Sequence, residues 1–137
     1  MIQLTDIELC RIAADIRKKA YAPYSEYFVG AALLTVDTKV FRGCNIENVS
    51  SSLTICAERA ASTSAVIEGE KDFQAIALAT VDAAAPCGAC RQFLAEFCNG
   101  SLPILISNDF GELKRKATLA ELLPDAFNSI YPSRNKR

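Results

Sequence analysis

The chain has 137 residues, half of them hydrophobic, and a formal net charge of −1 from 15 basic and 16 acidic side chains. This length is typical of one domain, so we expect a single domain over residues 1–137 that buries its own core. The balanced charge argues against nucleic acid or an anionic membrane as a partner, and the absence of histidine excludes histidine-based metal binding and general-base schemes.

The first half of the chain predicts a helix followed by a β-hairpin. Residues 5–8 (Thr-Asp-Ile-Glu) have the form of a capping box, and apolar residues follow at helical spacing. Residues 37–39 (Asp-Thr-Lys) interrupt an apolar run and predict a turn between two strands. The predicted elements are a helix to about Ala20, a loop at 21–25 and strands at 29–36 and 40–44.

From residue 45 onward, predicted strands and helices alternate. The elements are a loop to 54, a helix from Cys56 to Gly69, a strand at 73–81, a helix from Cys87 to about Phe97, strands at 102–107 and 113–117, and a short helix opened by a second capping box at 118–121. Alternation of this kind requires crossover connections. We therefore predict an α/β fold with a mixed sheet of about five strands covered by helices.

Three cysteines in two short motifs predict a metal site. The motifs are residues 56–58 (Cys-Ala-Glu) and residues 86–90 (Pro-Cys-Gly-Ala-Cys). Cys56 and Cys87 fall at predicted helix starts, where the helix dipole favours thiolate, and Cys90 would share a helix face with Cys87. Three thiolates would hold one Zn²⁺ per chain and leave one tetrahedral position open for water.

The charged residues beside these cysteines suggest catalysis. Glu58 is not needed as a ligand, so it is free to carry protons, and enclosure beside an anionic metal complex should raise its pKa. Three thiolates weaken the pull of zinc on bound water, so positive potential must be restored. Arg59 and Arg91 are the candidates to donate hydrogen bonds to thiolate sulfur.

Other interpretations of the six cysteines remain open. Without a secretory leader at Met1 or an apolar run of membrane-spanning length, we expect a cytoplasmic protein, in which paired cysteines favour metal binding or redox chemistry over structural disulfides. Cys87 and Cys90 alone would also suit a redox pair. A closed structural zinc site would recruit a fourth thiol from Cys10, Cys44 or Cys98.

The motifs resemble those of the small, homotetrameric, zinc-dependent cytidine deaminases. The metal motifs alone indicate the broad deaminase superfamily, and Asn-Ile-Glu-Asn at 45–48 makes the similarity specific to nucleoside deaminases. The resemblance implies a three-layer α/β/α sandwich. It covers almost the whole chain, through residues 21–25, 29–32, 43–48, 56–59, 86–92 and 122–124 with Phe127.

The resemblance also implies the reaction, which is hydrolytic deamination of cytidine and deoxycytidine to uridine and deoxyuridine plus ammonia, in pyrimidine salvage. Zinc held by the three cysteines would present hydroxide to C4 of the base, while Glu58 would protonate N3 and pass a proton to the departing amine. Arg59 would compensate the thiolate charge. The implied partners are a nucleoside and other copies of the chain, without nucleic acid or membrane.

Substrate contacts follow from the resemblance as well. Asn45 and Glu47 would hydrogen-bond the ribose 3′ hydroxyl, the backbone at Ala57 would contact the pyrimidine edge, and Phe127 would reach from a neighbouring subunit to cover the base. By themselves, Asn45 and Glu47 are more typical of a loop that caps a helix. The alternative for Phe127 is packing on its own core.

Two positions differ from the family pattern. Tyr27 replaces a phenylalanine that usually lines the base pocket, so its hydroxyl needs a partner or water. Ser51 replaces a tyrosine near the sugar, which predicts a wider or wetter 5′ side. A modified cytosine nucleoside such as blasticidin S therefore remains an alternative substrate. Further alternatives are a polynucleotide editor, which needs a charged groove, and a non-catalytic zinc module.

Overall fold

The computed structural model describes residues 4–127. The helices and strands alternate in the predicted order, and the loop before the second long helix contains a short 3₁₀ turn. In chain order they are α1 (Asp6–Arg17), β1 (Gly30–Thr35), β2 (Val40–Cys44), the 3₁₀ turn (Ser51–Leu53), α2 (Ala57–Ile67), β3 (Phe73–Ala79), α3 (Gly88–Ala95), β4 (Pro103–Ser107), β5 (Leu113–Thr118) and α4 (Leu119–Leu122).

Local sequence signals fix the ends of several helices. Thr5 Oγ1 accepts from Glu8 N at 3.1 Å while Glu8 Oε1 accepts from Thr5 N at 3.2 Å, so the predicted capping box opens α1. Thr118 and Glu121 form the same pair of bonds before α4. Gly69 follows α2 with φ +85°, a left-handed conformation that favours glycine.

The five strands form one mixed sheet in the order β2-β1-β3-β4-β5. β1 pairs antiparallel with both β2 and β3, whereas β3 and β4 are parallel and β4 and β5 antiparallel. The parallel pair requires a crossover, which α3 supplies. The predicted mixed sheet of about five strands is confirmed.

Helices cover both faces of the sheet. Successive strand residues point to opposite faces, so each central strand contributes to two cores. One core joins α1 to the sheet through Leu9, Ala13, Ala32, Ala77 and Leu105. The other joins α2, α3 and α4 to it through Ala61, Leu94, Leu119, Leu33, Ile76 and Ile104. The three-layer α/β/α sandwich is therefore confirmed.

The start of α2 lies unusually close to β2. A Cβ added at Gly43 would lie 2.4 Å from Ala57 O and 2.5 Å from Ala61 N, so the missing side chain permits this approach. The same contact fixes the start of α2, which carries Cys56 as its N-cap residue and Glu58 in its first turn. Within residues 4–127, no helix has both the length and the apolar character needed to cross a bilayer.

Candidate active site

Two helix starts meet at the three cysteines. Cys56 is the N-cap residue of α2 and Cys87 the N-cap residue of α3, as the sequence predicts, and Cys90 lies in the first turn of α3. Neither Cys56 nor Cys87 makes a side-chain capping bond to its own helix. Their sulfurs are therefore available as ligands, at the positive ends of two helix dipoles.

The sulfur positions fit a tetrahedral metal ion. The Sγ atoms of Cys56, Cys87 and Cys90 all lie within 4.8 Å of one another, and Cys56 Sγ is 3.9 Å from Cys87 Sγ. A zinc ion with bonds of about 2.3 Å to sulfur sets neighbouring tetrahedral sulfurs about 3.8 Å apart. A redox pair needs two sulfurs, whereas here Cys56 joins Cys87 and Cys90 in one group. The three-sulfur spacing therefore fits a zinc site.

The trio has no fourth thiol among the residues that the structure describes. Cys10, Cys44 and Cys98 lie outside the group of mutually close ligand atoms in residues 4–127. Cys10 is completely buried, and burial raises the pKa of its thiol. Three sulfurs without a fourth protein ligand leave one tetrahedral position open, which is the pattern of catalytic rather than structural zinc sites.

Arg59 provides positive charge at the sulfur cluster. Its Nη2 atom donates to Cys56 Sγ at 3.3 Å and to Thr54 O at 3.4 Å. The pKa of Cys56 is lowered to about 5, first by its hydrogen bond with Cys90 and then by Arg59. The pKa of Cys90 is raised by the same thiol–thiol bond, so Cys56 ionises first.

Arg91 binds main-chain carbonyls instead of sulfur. Its Nε atom donates to Pro86 O at 2.7 Å and its Nη1 atom to Leu122 O at 2.6 Å. Neighbouring residues on a helix point about 100° apart, so Arg91 does not share the direction of Cys90. Arg91 therefore ties the residue before Cys87 to the end of α4.

Glu58 is a buried carboxyl in the first turn of α2. Only 4% of its surface is exposed. Burial raises the pKa of Glu58, and the negative charge of Cys56 adds to this effect. The carboxyl is not part of the group of close metal ligands in residues 4–127, yet it borders the same cavity as Cys56 and Cys87. It is thus placed to exchange protons with a ligand in that cavity.

The cavity beside the cysteines has a volume of about 290 Å³. This is near the lower limit of about 300 Å³ for small-molecule pockets, so it suits a small ligand. The residues around it come from the loops before β1 and after β2, the start of α2, the end of β3 and the loop before α3. They include Ser25, Tyr27, Asn45, Glu47, Cys56, Ala57, Glu58, Thr80, Ala84, Ala85 and Cys87.

Asn45 and Glu47 brace one side of the cavity. Asn45 is buried, and its amide accepts from Val29 N at 2.9 Å and donates to Tyr27 O at 2.8 Å. Glu47 accepts from Tyr24 N at 2.9 Å and also from the amide and hydroxyl of Ser25, and the hydroxyl bond lowers the pKa of its carboxyl. Both side chains hold the 21–29 loop and neither caps a helix. Each retains hydrogen-bonding capacity for a ligand.

Tyr27 has the hydrogen-bond partner that its hydroxyl requires. Its OH donates to Asp82 Oδ1 at 2.6 Å, just beyond the ends of β1 and β3. No local sequence pattern indicates Asp82 as the partner of Tyr27, because β1 and β3 pair over a long sequence separation. Ser25, for which the sequence predicts no role, hydrogen-bonds Glu47 and accepts from Tyr27 N at 3.0 Å. The similarity of residues 21–25 to the family is the sequence signal that points to Ser25.

Phe127 and Ser51 do not border this cavity. The side chain of Phe127 is 78% exposed, so it does not pack on the core of its own chain. Its main-chain oxygen accepts from Gln92 Nε2 at 2.9 Å. Ser51 is an exposed residue of the 3₁₀ turn. Its predicted effect on the 5′ side stays a prediction.

Similarities to known proteins agree with this geometry. Residues 4–105 match the cytidine and deoxycytidylate deaminase zinc-binding region. A cytidine deaminase from Sporosarcina psychrophila is 50% identical over 114 residues, which are 82% of this chain and 83% of that protein. The blasticidin-S deaminase of Bacillus cereus is 29% identical over 133 residues, which are 90% of this chain and 92% of that protein.

A solved structure extends the similarity to three dimensions. The cytidine deaminase from Burkholderia pseudomallei is 46% identical and superposes with a TM-score of 0.86, covering 90% of this chain and 100% of that one. The spacing of the three sulfurs and the matched family region both assign zinc as the metal. Sequence, fold and metal site thus agree that the chain belongs to the zinc-binding cytidine and deoxycytidylate deaminase family.

Proposed function

We propose that the protein is a hydrolase that converts cytidine and deoxycytidine to uridine and deoxyuridine with release of ammonia. The observation that carries this proposal is the buried carboxyl of Glu58 beside a small cavity that Cys56 and Cys87 also border. Zinc bound by Cys56, Cys87 and Cys90 would supply activated water for attack at C4 of the base. A carboxyl that is not a metal ligand can then move the protons.

Glu58 would relay two protons in each turnover. The oxygen of water becomes the C4 carbonyl oxygen, and the bond from C4 to the exocyclic nitrogen breaks. Glu58 would take the two water protons in turn, giving one to N3 and the other to the departing amine, which leaves as ammonia. A raised pKa suits this role, because the carboxyl must both accept and donate a proton near neutral pH.

Asn45, Glu47 and Ala57 would hold the nucleoside. All three border the cavity with Glu58, which supports a shared ligand. The Asn45 amide and Glu47 carboxylate would bond the ribose 3′ hydroxyl, and the backbone at Ala57 would contact the pyrimidine edge. A base without its sugar would leave the remaining hydrogen-bonding capacity of these groups unused in the complex, so free cytosine should be a poor substrate.

The assembly and cellular role of the protein follow from the family resemblance. We propose a cytoplasmic homotetramer that acts in pyrimidine salvage, with one domain over residues 1–137. Phe127 would cover the base bound by a neighbouring subunit, and its exposed side chain supports this role. A mass measurement in solution tests the assembly, since a monomer that is fully active would contradict the role of Phe127.

A nucleoside panel with metal analysis tests the proposed reaction. Loss of absorbance at the cytidine band is followed for cytidine, deoxycytidine, cytosine and blasticidin S, and zinc is measured on the same sample. We expect turnover of both nucleosides with one zinc per chain. Activity on blasticidin S alone would favour the alternative substrate. The chain is 29% identical to a blasticidin-S deaminase, which is the reason to include this compound. Full zinc without any turnover would favour a non-catalytic module.

A further inference from the structure

A side-chain hydrogen bond links the two segments that flank the paired ends of β1 and β3, in the wall of the cavity. Gly30 pairs with Ala79 at the end of the ladder. Tyr27 lies three residues before Gly30 and Asp82 three residues after Ala79, and the Tyr27 hydroxyl donates to Asp82 Oδ1 at 2.6 Å. The bond is short and its acceptor is a carboxylate, which makes it stronger than a bond between neutral groups. It connects the loop before β1 with the loop before α3.

Asp82 is part of a chain of three hydrogen bonds. Thr80, whose residue is buried, donates from Oγ1 to Asp82 Oδ1 at 3.2 Å and accepts from Ala84 N at 2.8 Å. The Thr80 hydroxyl has one proton, which it donates to Asp82, and its oxygen keeps a lone pair that accepts from the Ala84 amide. The bonds therefore run without interruption from the ring of Tyr27 to the main chain of residue 84.

The loop that receives these bonds is strained. Ala83 has φ +52°, a left-handed conformation that a residue with a side chain adopts only at a cost. Ala84 and Ala85 border the cavity together with Tyr27, and the metal ligand Cys87 follows soon after. Strained backbone persists only where its surroundings hold it. The three hydrogen bonds hold the start of this wall, and the Arg91 bond to Pro86 O holds its end.

We propose that the Tyr27–Asp82 hydrogen bond positions the 82–86 loop as one wall of the nucleoside cavity and thereby sets the affinity for substrate. Tyr27 and Asp82 are then positioning residues for the reaction. The inference rests on the proposed deamination of cytidine.

The protonation states of the pair support the bond. Burial raises the pKa of Tyr27, and the hydrogen bond to Asp82 raises it further. The same bond lowers the pKa of Asp82. At neutral pH, Tyr27 is therefore a neutral donor and Asp82 an ionised acceptor.

A set of variants isolates this bond. Tyr27→Phe keeps the aromatic ring but removes the donor, Asp82→Ala removes the acceptor, and Asp82→Asn keeps an acceptor oxygen. We expect Tyr27→Phe and Asp82→Ala each to raise the KM for cytidine about three- to tenfold, with kcat within about twofold of the wild type. Asp82→Asn should restore most of the affinity. Tyr21→Phe, which removes a hydroxyl outside the cavity lining, is the matched control.

The double variant Tyr27→Phe/Asp82→Ala decides whether the two residues act through one bond. We expect its KM to equal that of Asp82→Ala, because the Tyr27 hydroxyl bond is already lost in that variant. Additive effects on KM, or a lower Tm with unchanged KM, would overturn the inference while leaving the deaminase activity in place. A wild-type protein without turnover of cytidine would instead overturn the proposed function, and this inference with it.

Discussion

Substitution of Gly43 by alanine should damage the active site from a distance, through the packing of α2 on β2. The added Cβ would lie 2.4 Å from Ala57 O and 2.5 Å from Ala61 N. Ordinary contacts between carbon and oxygen are about 3.3–3.6 Å, so α2 must move away by about 1 Å. Both opposing atoms belong to the main chain, so no side-chain rotation can relieve the contact. The moving segment carries Cys56 and Glu58.

The displacement sets the expected size of the effect. Overpacking of this kind costs about 1–3 kcal/mol, which corresponds to a fall in Tm of roughly 3–10 °C for a chain of this size. A shift of about 1 Å in the reacting groups can lower the rate by about 100-fold. Thermal unfolding, zinc content and kcat/KM for cytidine measure the three consequences on one sample of Gly43→Ala.

Gly88→Ala is the matched control for Gly43→Ala. Among residues 4–127, and apart from its chain neighbours and its own helix backbone, no heavy atom lies within 4 Å of a Cβ added at Gly88. Alanine also has a higher helix propensity than glycine in α3. We expect its Tm to be unchanged or slightly higher. A Gly43→Ala variant with the Tm and kcat/KM of the wild type would refute the reasoning, because it would show that α2 has room to accept the methyl group without moving.

Three other substitutions test separate parts of the site. Asn45→Ala should lower stability by about 1–3 kcal/mol and raise KM, because it leaves two main-chain partners unpaired; thermal unfolding and kinetics measure both effects. Cys87→Ser should lose zinc while Cys44→Ala keeps one zinc per chain, which metal analysis detects; retention by the first variant would contradict the ligand assignment. Glu47 has a lowered pKa because Ser25 bonds its carboxylate, so its contribution to stability is complete above the ordinary pKa of 4.5 and is lost as the pH falls through the lower folded value. Acid unfolding of Glu47→Gln should therefore have a weaker pH dependence than that of the wild type, and an identical profile would contradict the assignment.

Local patterns explain how much of the fold the sequence predicts. Both capping boxes, the hairpin turn and the glycine after α2 act within a few residues, and each is present where the sequence indicates. The end of α1 shows the limit of such patterns. The α-helix stops at Arg17, but Lys19 N and Ala20 N bond carbonyls three residues earlier, so the turn tightens and apolar spacing continues to Ala20.

Long-range pairing explains what the sequence could not predict. Asp82 becomes the partner of Tyr27 only because β1 and β3 are neighbours in the sheet, a pairing that spans about half of the described chain. The direction of Arg91 depends on where α4 ends, since Leu122 O is one of its acceptors. By contrast, the two cysteine motifs and the helix starts are local signals that indicate which thiols can be ligands, although the fold must still bring Cys56 to Cys87.

The central claim is that Glu58 carries protons beside a metal held by three cysteines. Turnover of cytidine by Glu58→Gln, with zinc measured on the same sample, tests it most directly, because glutamine keeps the shape of the side chain but cannot exchange the proton. We predict a full complement of zinc, a Tm no lower than that of the wild type and a kcat lowered by about 10²- to 10⁴-fold. Turnover at the wild-type rate with zinc bound would contradict the account.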